Sequence, residues 1–523
     1  MREHVERWTD GKRGALVLFL AGLAVYAFRT IGWPLVGGRD LDEYLYDYVQ
    51  FLDWHPLLPW SMLFRTPVPG IVDGASLDVA GGFFAEPLMA VLFSASVLAW
   101  ATAARAFGRR AAVLTAVALL AYPAYGLMFH ELSSEPIFAA AFALWGWLVV
   151  RAWQVPSNMR FALAGLGVAL LALIRPGNSV LLAFALFALV VPGTRRARLT
   201  HAGSFLLAGL LPLVAWAVLN GVRFGDYSLA RGGNAVIPFY RAYITDKIVR
   251  PDNGPASRRL AEAVRRHLVT RDPYKSYGVT VGEVFRSGSF RIHEDFYLLS
   301  DQVFGWDTNY SVLRKAGIEA VEQHPGTYTS GVLHTIWQQL SKSYFRTPPS
   351  KPSAAPAQQT VVEPNGKTLP APTEGQPIPA GQSVWISRPD NCIKDVWTSA
   401  TAHHFTFCKA AYKPRFEAIT HELSRLFANL PDRQGNEQLA LRMNQASRWY
   451  PRLIIWILVG LVALLIRRPV GTRTLVALAL AALVVIVLNA LGLFADPRFA
   501  LPVAPAFVVL GSCALLGVPR GRR

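Results

Sequence analysis

The sequence predicts a polytopic all-α membrane protein of about ten transmembrane helices that carries a mixed extracytoplasmic domain. Three observations predict it. Charged residues make up 16% of the 523 residues and apolar ones 52%, whereas a soluble chain carries about 25% charged residues. The apolar residues fall into blocks of roughly 17–25, the length that crosses a bilayer. The basic residues are sorted by side, as the positive-inside rule requires.

The apolar blocks lie near 14–33, 82–104, 111–128, 135–152, 160–174, 177–193, 202–220, 451–466, 472–493 and 499–518. Several are short and need a tilt to span. Ten crossings put both termini on one side. The short segments there are 1–13, 105–110, 151–160, 194–201, 467–473 and 519–523, and they hold 18 Lys/Arg against 3 acids. That side is the cytoplasm. The net charge of +18 is then mostly a topology signal, and nucleic acid is not an expected partner. The first span has a basic start at Lys12-Arg13 but no small-x-small end before Pro34, so it reads as a retained anchor.

Three parts follow. Residues 1–220 form an N-terminal module of seven spans, with a first outer loop at 34–81. Residues 221–450 form an extracytoplasmic domain with 28 basic and 20 acidic residues. Residues 451–523 add three spans. Within the outer part, 256–269, 311–323 and 414–429 have the apolar spacing of amphipathic helices. Residues 347–382 are rich in Pro, Ala, Gln, Thr and Gly and read as a mobile extended loop, with short β pieces such as Ser383–Ile386 beside it. Cys392 and Cys408, 16 apart in an oxidising compartment, predict a disulfide. A zinc site with His403 and His404 is the rival, at a spacing no standard finger uses. Cys513, in the last span, reads as packing.

The first outer loop holds 7 acids and 2 basic residues. Its segment 41–52, LDEYLYDYVQFL, predicts a short helix lying on the outer membrane surface. Asp40, Asp42 and Glu43 stand within four residues where the first span leaves the membrane. Like charges packed so closely raise one another's pKa. The functional reading is a general base with a helper for deprotonating an acceptor hydroxyl. The plain reading is a helix start favoured by the dipole.

Two more constellations share that rim. His130-Glu131 precedes Leu132-Ser133-Ser134-Glu135-Pro136. Either serine can cap the next helix, with Pro136 in its first turn, but His130 and Glu131 are ionisable groups beside the membrane, where such residues default to function. Arg175-Pro176-Gly177-Asn178 and Asp496-Pro497-Arg498 make outer turns. Arginine there suits a lipid phosphate, gripped bidentately, or else a headgroup contact or an Asp496–Arg498 pair. Glu86 reads as a helix-start acid. The chain has no G-x-G-x-x-G unit, no Walker loop and no G-x-S-x-G elbow. A donor on the outer side is therefore expected to be a lipid carrying a phosphate-linked group.

These motifs in this order resemble the GT-C class of polyprenyl-phosphate-sugar glycosyltransferases, in the protein mannosyltransferase and lipid A aminoarabinose transferase branch. Asp40-Leu41-Asp42-Glu43 is similar to the D-x-D or D-E pattern of that class's first outer loop. Leu132–Pro136 is similar to its L-x-S-E-P, Leu173-Ile174-Arg175-Pro176 to its L-x-R-P, and Asp496–Pro502 to its R-Y-x-L-P ending. The resemblance implies an inverting transferase of the plasma (inner) membrane, taking a polyprenyl-phosphate sugar to a glycan, lipid or protein acceptor. It implies Asp40 as base, with Asp42 close behind and Glu43 beside them, and His130, Glu131, Arg175 and Arg498 as substrate-binding residues. Some relatives use a divalent metal (Mg or Mn) and others none, so no cofactor is fixed. The alternatives are a transporter or flippase of lipid-linked sugars, or a non-catalytic envelope assembly subunit.

Overall fold

The computed structural model describes residues 11–270, 274–275, 278–344, 360–362, 368–370, 382–385, 393–397 and 403–519. Among them, seven helical segments are long and apolar enough to cross a membrane: Gly11–Thr30, Ala85–Arg105, Ser134–Gln154, Arg195–Phe224, Glu437–Arg467, Thr472–Gly492 and Pro497–Leu516. The chain is a mostly helical, multi-pass membrane protein. Two shorter apolar helices stand beside these, Asn158–Ile174 and Pro176–Val190. The second begins as a 3-10 helix, Pro176–Leu186. The apolar block 111–128 becomes helix Arg109–Leu120 followed by the short helix Pro123–Met128. Pro123 has no N–H to continue the first helix and restrains Tyr122 to an extended conformation.

One apolar core joins sequence-distant spans. Trp100, Phe142, Trp145, Val485 and Phe507 all lie in it, each under 4% exposed. The last segment, Pro497–Leu516, is the most enclosed of the seven, with 89% of its apolar window buried. The last span is thus enclosed by the bundle, although 230 residues separate its block from the first seven apolar blocks in the sequence.

Region 221–450 divides in two. Its first part builds its own core around Phe239, Tyr243, Phe296, Tyr310 and Leu313. The expected helices are present: Pro255–Ala263 continues through Val264–Leu268, and Ser311–Gln323 follows. Buried Arg241 bonds Asp246 at 2.9 Å and the carbonyls of Ala490 and Leu493 at 2.8 and 3.0 Å, which ties this core to the turn before the last span. The later helix Tyr412–Ala428 belongs instead to the main core, through Phe416, Leu423 and Leu426.

That helix changes the reading of the first outer loop. Segment 41–52 is not laid on a lipid surface by its apolar face. Helix Leu41–Gln50 buries Leu41, Tyr44, Leu45 and Asp47 against helices Pro67–Asp78 and Tyr412–Ala428. Its amphipathic stripe meets protein on both sides, and sequence periodicity does not tell protein from lipid.

Strand Gln382–Trp385 pairs antiparallel with Ile393–Trp397, which pairs with His403–Phe407. Most of the Pro-rich stretch lies outside the described residues, but Thr360–Val362 and Thr368–Pro370 pair antiparallel. Cys408 is disulfide-bonded. Cys392 lies outside the described residues. Cys513 is free and buried.

Candidate functional site

The site begins where the first span ends. Val36–Gly37 runs parallel to Glu131–Leu132, and Gly38 N–H donates to the Leu132 carbonyl at 3.0 Å. A Cβ on Gly38 would stand 2.7 Å from that carbonyl oxygen, so only glycine lets the loop lie this close. The pairing brings Asp40 alongside the Glu131–Glu135 turn, which begins 91 residues later in the sequence.

Asp40 precedes helix Leu41–Gln50 with φ +66°, in the left-handed region. Asp and Asn tolerate that region better than other non-glycine residues, and strain of this kind gathers at functional sites. Arg65 reaches the Asp40 carboxylate at 3.4 Å and Glu43 at 2.6 Å, and Arg39 lies 3.6 Å from the other Asp40 oxygen. The Asp40 side chain stays 33% exposed. Asp42 points outward and is exposed. Burial raises the Glu43 carboxyl above its ordinary range, Arg65 opposes this, and Asp40 and Asp42 add to it.

The second cluster is built on Glu135. Arg175 Nη2 lies 2.9 Å from its carboxylate and Arg498 Nε 3.7 Å from the same oxygen. Arg175 also donates to Ser134 Oγ from Nε and Nη2, at 3.1 and 2.9 Å. Ser133 precedes helix Ser134–Gln154 without a side-chain cap, so Ser134 positions an arginine instead of capping the helix. Asp496 accepts from Arg498 N–H at 2.8 Å and lies 3.9 Å from its guanidinium. Phe138 and Phe499 lie under the two guanidinium groups at 5.7 and 5.4 Å.

Tyr44 joins the clusters. Arg65 lies over its ring at 5.2 Å, and its buried hydroxyl lies within the fields of Glu135 and Arg175. The outer region closes the other edge. Arg39 lies over the rings of Phe290 and Phe494, at 5.5 and 5.7 Å, and its charge acts on the Tyr240 hydroxyl. The expected residues Asp40, Glu43, Arg175 and Arg498 are therefore brought to one place. Glu131 is half-buried in the short strand, within the field of Arg498. His130 is fully buried and stacks on Tyr26 at 4.1 Å, inside the core beside the site. Glu86 pairs with Arg433 at a helix start.

Sequence reasoning missed Arg65, Tyr44 and Arg39 as partners of the acids, and Glu135 as the pivot of the arginines. Glu135 lies within the Leu132–Pro136 motif, which is its one signal in the sequence. Among the described residues, no three His, Cys, Asp or Glu side chains converge to hold a metal ion. Arg65 occupies the inner face of both Asp40 and Glu43.

Below the site, Asp73 of helix Pro67–Asp78 is fully buried, with neither carboxyl oxygen hydrogen-bonded. Burial first, and then Glu135, holds its pKa well above 3.8. The neutral acid is the form the fold favours. Its contribution to stability is present below the unfolded value and is lost as pH rises through the folded one. Asp73→Asn stays neutral, so its melting temperature is expected to fall less than that of wild type from about pH 5 to about pH 8. Thermal unfolding in detergent across that range measures this. Parallel curves would mean that Asp73 is already charged in the fold.

Residues 79–219 match the family model described as dolichyl-phosphate-mannose-protein mannosyltransferase. That stretch contains the Leu132–Pro136 and Leu173–Pro176 motifs, so the resemblance drawn from them holds. No curated protein matches the chain. Two solved structures are similar at low identity. One is the oligosaccharyltransferase AglB from Archaeoglobus fulgidus, in complex with an inhibitory peptide and a dolichol-phosphate, at 12% identity and TM-score 0.40 over 96% of this chain and 50% of that one. The other is ArnT from Cupriavidus metallidurans bound to undecaprenyl phosphate, at 13% identity and TM-score 0.36 over 97% of this chain and 78% of that one. The chain thus spans about half the length of AglB.

Proposed function

We propose that this chain, which resembles the GT-C glycosyltransferases and matches a protein mannosyltransferase model over 79–219, moves a sugar from a polyprenyl-phosphate donor to an acceptor hydroxyl. The observation that carries the reading is the joining of two unlike clusters at one end of the bundle. One presents a carboxylate, Asp40. The other presents two arginines against a single glutamate. Tyr44 connects them.

The roles follow from the charges. Arg175 and Arg498 bring two positive charges to Glu135, with Asp496 beside Arg498 alone. A lipid phosphate can complete the set by charge-assisted hydrogen bonds, and its leaving charge is stabilised there. Asp40 takes the proton of the acceptor hydroxyl as the new bond to the anomeric carbon forms. The bond from that carbon to the phosphate oxygen breaks on the opposite face, so the transfer inverts. Arg65 and Arg39 hold Asp40 in position. Ten spans with both termini cytoplasmic, from the charge partition, put this end of the bundle and region 221–450 on the outer face of the plasma membrane. The acceptor is a glycan, a glycolipid or a protein of the cell envelope.

The test is release of polyprenyl phosphate by the purified protein in nanodiscs from a panel of polyprenyl-phosphate sugars, with water or mixed envelope acceptors. Turnover with one donor supports the reading. Donor binding without turnover on any of the panel overturns it in favour of a carrier or an assembly subunit.

A further inference from the structure

Helix Pro325–Ser341 belongs to region 221–450 by sequence, yet it packs on the spans Thr472–Gly492 and Leu453–Arg467 and on Pro497–Val503. Its bonds fix its level. Near its start, Tyr328 Oη donates to the Leu491 carbonyl at 2.7 Å. Further along, Thr335 Oγ1 accepts from Arg241 Nη1 at 2.9 Å, and the same nitrogen donates to the Ala490 carbonyl at 2.8 Å. Both tethers hold the last turn of span Thr472–Gly492. Beyond the end of the helix, Tyr344 stands within the field of Arg498. The helix therefore lies across the end of the bundle that carries the site, where the spans leave the bilayer, and does not descend along them.

Its sides differ. Tyr328, Val332, Thr335 and Gln339 are buried against the protein. Away from them, Leu333 is 62% exposed and Trp337 59%. At about 100° per residue these two stand about 40° apart, on the flank of half-buried Ile336 and buried Leu340. The other flank is polar. Thr327 and His334 are exposed there, about 100–120° round from Leu333, and Gln338 Nε2 donates to His334 Nε2. One apolar and one polar flank on a helix at this level is the pattern of a helix lying in the membrane interface, and tryptophan is the residue that favours that depth. The adjoining span Leu453–Arg467 presents Ile455, Leu458 and Val462 exposed, at the spacing of one helical face, so the helix abuts a lipid-facing surface. We propose that helix Pro325–Ser341 is an interfacial helix that binds the bilayer surface, with Leu333 and Trp337 in the headgroup and acyl boundary and His334 on the water side. Region 221–450 then rests on the membrane beside Arg498.

The test is spin labelling of the purified full-length protein in nanodiscs of phosphatidylcholine and phosphatidylglycerol. Among the described residues Cys513 is buried and Cys408 disulfide-bonded, so the label takes an introduced cysteine. Leu333→Cys, Trp337→Cys and His334→Cys are labelled one at a time. Power saturation then compares collisions with oxygen, which concentrates in lipid, and with a water-soluble nickel chelate. Labels at 333 and 337 are expected to favour oxygen over nickel severalfold more than the label at 334, at a depth of about 5–10 Å into the boundary. All three side chains are exposed, so the fold should tolerate each change, and the two apolar positions check one another. If the labels at 333 and 337 meet nickel as freely as the one at 334, this face is open to water and the proposal is overturned in favour of a protein partner. The readout is depth in the membrane, so it stands or fails independently of sugar transfer.

Discussion

Asp40→Asn is expected to lower the transfer rate by about 10²–10⁴-fold, the usual worth of a positioned general base, while leaving binding of the donor lipid unchanged. The substitution is well suited to the question. Asp40 sits at φ +66°, and asparagine accepts that conformation as readily as aspartate does. Alanine there would add backbone strain of about 1–2 kcal/mol and confuse a catalytic loss with a folding one. Asparagine also keeps an oxygen for Arg65, which lies 3.4 Å away. What it lacks is the charge that accepts a proton. Asp42→Asn is the control. That side chain points outward beyond the Arg65 bridge, so its activity should stay near wild type. The measurement is single-turnover sugar transfer beside donor binding for both variants. If Asp40→Asn keeps more than about a tenth of the rate, Asp40 is not the base. If Asp42→Asn loses the rate instead, the bridge to Arg65 marks a structural acid, and the outward one does the chemistry.

The acid cluster was legible because charge at the end of an apolar block is rare and conspicuous. Its surroundings were not legible, because they are made of pairs remote in the chain. Arg65 reaches back 22 residues to Glu43, and Arg498 reaches 363 residues to Glu135. Periodicity reports that Leu41, Tyr44 and Leu45 share a buried face, but it cannot say that helix Tyr412–Ala428 covers them. The same limit explains the block 111–128, where apolar content suggested one long helix. Pro123 ends the first helix locally, and that signal was present in the sequence but outweighed by composition. The helices of the outer region were legible where an amphipathic stripe was complete, as over Ser311–Gln323. Arg231 was not, since a fully buried arginine bonded to Asp301 at 2.7 Å has the sequence signature of an exposed one.

Glu135→Ala should have the largest effect on stability and, read together with lipid binding, separates structure from function at the second cluster. The Glu135 side chain is only 10% exposed, and those of Arg175 and Arg498 are 22% and 15%. Removing the shared anion leaves two guanidinium groups facing each other with little water. Breaking a buried pair in this way costs about 3–5 kcal/mol, which should appear as a large fall in melting temperature in detergent. Glu135→Gln keeps the shape and one acceptor and should fall less. If the arginines serve only the fold, added polyprenyl phosphate will raise the melting temperature of wild type and Glu135→Ala alike. If they are the phosphate site, the ligand supplies the missing negative charge. Stabilisation by a ligand grows as the logarithm of its concentration over Kd, about 2.7 kcal/mol at a hundredfold excess, and a tighter Kd in the variant enlarges it. Polyprenyl phosphate should then rescue Glu135→Ala more than it stabilises wild type. Equal shifts in the two proteins would leave Glu135, Arg175 and Arg498 as a brace between the spans. The phosphate would have to be sought at Arg39 and Arg65, the other guanidinium groups beside Asp40.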